Sequence, residues 1–130
     1  MHVEPITSGM LETFQPWWLA RDEGEMTASI LPPDGAVAID ETGPVAAVWM
    51  YRPVGCEVVF LDWMVTRPGI SQATARKACR SVCRYMSHLA LSEGKRHVFA
   101  SVGCAAMARE AQNAGFRIAS TGNTHLVTHL

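Results

Sequence analysis

The sequence predicts one α+β domain, a mixed central sheet of about six or seven strands flanked by three to four helices. Three observations carry this expectation. The composition is that of one ordinary core: 130 residues, 48% hydrophobic and 18% charged, too short a chain to divide into two domains. Short apolar runs bounded by Gly, Pro and Asp recur up to residue 66 and read as strands. Beyond them lies a long segment whose apolar residues repeat with the helical period.

Residues 2–6 form a short first strand, and 8–20 carry Leu11, Phe14, Trp17, Trp18 and Leu19 at spacings that suit a helix interrupted at Pro16. After Pro32, Pro33, Asp34 and Gly35, the apolar run 36–39 reads as a buried strand, and 40–43 is turn chemistry. A strand follows from Pro44 through Tyr51, then a turn at 52–55 and a further strand from Cys56 to about Thr66. Three consecutive antiparallel strands are the simplest arrangement. Arg67, Pro68 and Gly69 end the sheet run, and Ser71 N-caps a helix that reaches about Ser92 before Gly94 stops it.

On this helix Ala75, Ala78, Cys79, Val82, Met86, Leu89 and Ala90 fall on one arc, and Arg76, Lys77, Arg80 and Arg84 on the other. Residues 97–102 read as a strand, 104–114 as an Ala-rich helix capped by Gly115, and 117–130 as one or two final strands around Thr121, Gly122 and Asn123. There is no internal repeat, low-complexity tract or linker.

Charge and patterning exclude several classes of function. Eleven basic against twelve acidic side chains give a net charge of -1, so no global field favours nucleic acid or an anionic membrane. The apolar runs fall far short of the roughly 20 residues that span a bilayer. The start, residues 1–5, lacks the basic and apolar regions of a secretory signal, which places the expected location in the cytoplasm. Cys56, Cys79, Cys83 and Cys104 lack metal or redox spacing and read as reduced core residues. The histidines, His125 and His129 included, show no metal spacing, so no metal is expected.

This element order resembles the GNAT superfamily of N-acyltransferases, and local segments carry the resemblance. The run AVAIDETGPVAAV at 36–48 is similar to the family's central hairpin and leads into FLDWMV at 60–65, where the family has the strand before its cofactor loop. AAMAREAQNAGF at 105–116 resembles the late helix ending in Gly-Phe. The chain is also similar to the small GNAT-like virion proteins of short-tailed phages, which implies a virion location and a protein partner in the particle.

The GNAT resemblance implies binding of acetyl-CoA or another acyl-CoA at Val65, Ile70, Ser71, Gln72, Ala73, Thr74, Ala75 and Arg76. Free N–H groups and the macrodipole make a helix N-terminus a natural pyrophosphate site, and small side chains let phosphates approach the backbone. Ser71, Ala73 and Ala75 stand where the family prefers glycine, so the small-residue rhythm is kept without the glycines; Ser71 as a plain helix cap is the alternative. Arg76 and Lys77 lie near the helix start and suit phosphate, whereas Arg80 and Arg84 read as a solvated face.

An amine attacking a thioester must lose a proton, and Asp62, on the strand leading into the loop, is the first candidate base, with Glu57 in reserve. A sheet carboxylate satisfied by its neighbours is the alternative for Asp62. The family's late-helix tyrosine is replaced by Ala111, leaving Tyr51, Tyr85 and Ser101 as candidate acids. Trp17 and Trp18 lie where the fold borders its acceptor site and are candidates to floor a substrate pocket. Two functions follow: an acyl-CoA-dependent N-acyltransferase for a small-molecule or protein amine, or a GNAT-fold structural or interaction protein without catalysis. A nucleic-acid modifier of the same fold lacks the basic balance.

Overall fold

The structure is a computed structural model that describes every residue except Ser8, Val127 and His129. Its elements run β1 (His2–Pro5), α1 (Leu11–Leu19), β2 (Asp34–Asp40), β3 (Gly43–Tyr51), β4 (Val58–Thr66), α2 (Gln72–Ser92), β5 (His97–Ala100) and α3 (Ala105–Asn113). The sheet has five strands in the order β1-β2-β3-β4-β5, antiparallel from β1 through β4. β5 pairs parallel to β4, because α2 carries the chain back across the sheet before β5 begins.

β2 and β3 are buried on both faces, and the period of two divides the side chains of the sheet between two cores. Ala36, Ala38, Val48, Met50, Val59 and Leu61 face Ala78, Val82 and Met86 of α2. Their alternates Val37, Ala47, Trp49 and Val65 face Phe14, Trp17 and Trp18 of α1. α3 lies on α2, completing the outer layer. Small residues bring the strands close together at the β2–β3 hairpin. A Cβ on Gly35 would meet Trp49 Cδ1 at 2.9 Å and the Val48 carbonyl oxygen at 2.9 Å, so only glycine fits there.

Several expectations are corrected. The sheet has five strands and the fold three helices among the described residues, fewer strands than the six or seven expected, because the described part of 117–130 forms none. Its alternation is real, yet no sheet edge pairs with it. α1 is continuous through Pro16, since the one N–H that proline lacks would have gone to Glu12, whose exposed carbonyl end solvent can serve, while Phe14, Trp17 and Trp18 anchor the helix from below. The expected helix start at Ser8 lies outside the described residues, and the helix begins at Leu11.

Cys79 and Cys83 are buried, and burial pushes their thiols up to about 11 and about 12. Cys56 and Cys104 are exposed instead, the first in the turn before β4 and the second at the N-cap of α3, where the apolar runs around them have already ended. No helix is long and apolar enough to cross a membrane, and no cluster of three or more metal-ligating side chains occurs, both among the described residues. The His125 and His129 spacing lies partly outside them.

Candidate active site at the fork of β4 and β5

β4 and β5 pair only from Val58 with His97 to Leu61 with Ala100, and the last bond across them runs from the Ser101 N–H to the Leu61 carbonyl at 3.2 Å. From Asp62 onward β4 keeps β3 on one side and, among the described residues, has no strand on the other. The sheet therefore opens into a fork with free backbone groups along one edge of β4.

A bulge sits at the same place. Ala47 faces Val65 and Trp49 faces Asp62, so one residue of β3 opposes two of β4, and Trp63 takes φ 59 to absorb the extra residue. Leu61 and Met64 pack on the α2 core and Trp63 and Val65 on the α1 core, so Asp62 and Trp63 point to the same face in succession. The Trp63 indole N–H donates to the Tyr51 hydroxyl at 2.7 Å, which itself donates to the Ile30 carbonyl at 2.7 Å. One Asp62 oxygen accepts the Trp63 N–H at 2.7 Å.

Beyond β4 the chain turns at Gly69, φ 80, and enters α2. Ser71 caps it: its hydroxyl accepts the Thr74 N–H at 3.1 Å and lies 2.9 Å from the Thr74 hydroxyl. The Ala75 N–H reaches the Ser71 carbonyl at 2.9 Å, which leaves the N–H groups of Gln72 and Ala73 without helical partners. No acidic residue lies in this first turn to compete for an anion. Ile70 packs on the α2 core, so it contributes shape rather than charge.

A cationic corner stands beside this turn. Arg80 donates to Glu110 of α3 at 2.7 Å, Arg76 Nε lies 3.8 Å from the same carboxylate, and an open hollow of about 450 Å³ is lined by Arg76, Arg109, Glu110, Gln112 and Asn113. Three arginines against one glutamate leave two positive charges. Glu110 is 7% exposed, and its hydrogen bond from Arg80 holds its carboxyl below the usual carboxylate range. Arg80 thus serves the α2–α3 contact and not the solvated face expected of it. Nothing in the sequence marked Glu110 or Arg109, apart from charge in an otherwise Ala-rich helix.

Asp62, the β4 edge at Val65 and residues 70–76 follow one another along the chain from the fork into the first turn of α2. The Val65 side chain is buried in the α1 core, so only its backbone can meet a ligand. Glu57 is not brought there: it precedes β4 at the far end, exposed, 3.5 Å from Arg96. Trp17 and Trp18 are 6% and 0% exposed, both edge-on to Phe14 in the core with Trp18 also tilted against Trp49, so they support the sheet from beneath and floor no open pocket. Ser101 stands at the fork, whereas Tyr85 lines a separate hollow at the other end of α2 with Arg52 and Glu93.

Neither a family model nor a curated protein matches the sequence. Solved structures do match its shape. An acetyltransferase from Agrobacterium tumefaciens superposes at TM-score 0.68 with 18% identity, covering 98% of this chain and 100% of that one. An aminoglycoside N-acetyltransferase in complex with CoA gives TM-score 0.66 with 14% identity over 98% and 99%. A ribosomal-protein-alanine N-acetyltransferase from Brucella melitensis gives 0.63 with 9% identity over 99% and 100%. The chain has the fold of the GNAT-type N-acetyltransferases. None of these neighbours is described as a virion protein, and nothing in the structure supports the phage resemblance.

Proposed function

We propose that the chain is an acyl-CoA-dependent N-acyltransferase acting on an amine. One observation carries this reading: β4, bulged at Trp63, leaves the β4–β5 fork and runs through the Gly69 turn into the first turn of α2, whose leading N–H groups are free. The backbone of Gln72 and Ala73 would hold the pyrophosphate, with Arg76 beside it, and the free edge of β4 at Val65 would hold the pantetheine arm. The bound group supplies a thioester whose carbonyl carbon accepts the amine. Asp62, on the edge of the fork, would take the proton of that amine, and Ser101, at the same fork, would donate one to the departing sulfur. Ser71 and Thr74 spend their hydroxyls on capping, which stiffens the turn without blocking its N–H groups. The wide coverage of a neighbour in complex with CoA supports the same reading.

The second reading is a GNAT-fold interaction component without catalysis. Ser71, Ala73 and Ala75 in place of glycines and Ala111 in place of a tyrosine favour it. Calorimetry with acetyl-CoA and with CoA separates the two. The acyltransferase reading requires binding tighter than about 1 mM, and a folded protein that binds neither ligand excludes it. With binding established, Asp62→Asn is expected to leave acetyl-CoA affinity intact and to lower kcat by about a hundredfold or more; unchanged turnover would remove Asp62 from the chemistry.

A further inference from the structure

On the face of the sheet that carries Asp62, an aromatic ledge is left uncovered. Tyr51 faces Phe60 and Trp49 faces Asp62 across β3 and β4, which puts Phe60 and Asp62 on the α1 face two residues apart, about 7 Å along the strand. Phe60 pairs in register with Phe99 of β5, and the two rings stack at 5.6 Å with an interplanar angle of 27°. The α1 core stops at Trp49 and Trp63. Phe60 and Phe99 therefore remain 44% and 47% exposed at the β4–β5 margin of the sheet, two adjoining large apolar side chains left without cover among the described residues.

Charge complementarity says what covers them. Asp62 makes no ion pair among the described residues, and only one of its oxygens has a protein partner. Glu57 and Arg96, the charged residues that immediately precede β4 and β5, pair with each other at the far end. A carboxylate with a free oxygen, set one residue pair away from two stacked phenyl rings, is complementary to a cation joined to a flat apolar body. The Trp63 indole borders the same place with its N–H already committed to Tyr51, so it offers ring surface and no competing donor.

Resting on the acyltransferase reading, we propose that the Phe60–Phe99 ledge and Asp62 form the acceptor subsite and that the acceptor is an arylalkylamine. Its ring lies on Phe60 and Phe99, and its ammonium group meets the free oxygen of Asp62 before losing a proton. A short polar amine such as an aminosugar would leave the ledge wet, and a neutral aromatic would leave the carboxylate unpaired.

The test is calorimetry on the whole chain without acyl donor, using 2-phenylethylamine, 2-phenylethanol and ethylamine as probes. 2-Phenylethylamine is expected to bind at least about tenfold more tightly than either of the others. The Phe60→Ala/Phe99→Ala variant is expected to lose about tenfold for 2-phenylethylamine while melting at the wild-type temperature, since both rings are half exposed. Asp62→Asn should erase the preference of amine over alcohol. Absence of 2-phenylethylamine binding, equal binding of ethylamine, or an unchanged double variant overturns the assignment. Amine binding with no acetyl-CoA binding would keep the ledge and overturn acyl transfer; acetyl-CoA binding with no selectivity among the amines would do the reverse.

Discussion

Trp63 occupies a backbone region that few bulky residues enter, and such a conformation costs about 1–3 kcal/mol wherever the surroundings impose it. Here the surroundings are specific. The bulge opposite Val48 requires an extra residue, and the indole is fastened through the Tyr51 hydroxyl to the Ile30 carbonyl in the segment between α1 and β2. Tyr51→Phe removes the hydroxyl from between a donor and an acceptor and leaves both without that partner. It is expected to destabilise the fold by about 1–2 kcal/mol in urea titration. Because Asp62 accepts from the Trp63 N–H, the same variant should also loosen the carboxylate. A variant with wild-type stability would mean that packing alone holds the bulge.

At the scale of elements, α2 is held along its middle by core packing and at its start by a cap. Ser71 supplies the side-chain cap, so Ser71→Ala is expected to cost about 1 kcal/mol in thermal unfolding, while Ser71→Asp, which keeps an acceptor, should recover most of it. If both variants melt alike, the hydroxyl is not the cap. The helix itself was legible because twenty-one residues repeat one pattern and end at glycine, and the strands 34–40 and 43–51 because their runs are bounded by Pro, Asp and Gly. What escaped was anything set by one element meeting another. Glu110 has its meaning only when α3 lies on α2 and places it against Arg80, and Trp63 looks like an ordinary strand residue until the register with β3 is known. Asp62 was found because it precedes the loop; Phe60 and Phe99 could not be, since exposure of a strand phenylalanine depends on where α1 stops. The tail erred in the opposite direction, with alternation at 117–130 that the described residues do not convert into strands.

Across the whole molecule, carboxylates tie the layers together, and acid should undo them in a set order. Glu93 accepts two bonds from Arg52 at 2.7 and 2.8 Å, and Arg52 also pairs with Asp34, which links the β2–β3 end of the sheet to the C-terminus of α2. Glu110 with Arg80 links α2 to α3. The Asp40 carboxylate accepts from Thr42 and shapes the hairpin. These bonds hold all three carboxyls below their ordinary values, led by Arg52 for Glu93, Arg80 for Glu110 and Thr42 for Asp40. A carboxylate with a lowered folded value stabilises the protein fully above its unfolded value and loses that contribution as pH falls through the folded one. Melting temperature is therefore expected to stay level from neutral pH down to about 5 and to drop below about 4. The part-exposed Asp40 and Arg52 contacts are screened by solvent and salt and carry little of the drop, whereas Glu110 is buried between α3 and α2 and carries more. Glu110→Gln should melt lower than wild type at pH 7 and converge on it near pH 3, while Glu93→Gln should shift the curve only slightly. Parallel wild-type and Glu110→Gln curves through that range would show that the α2–α3 contact is not the acid-sensitive joint.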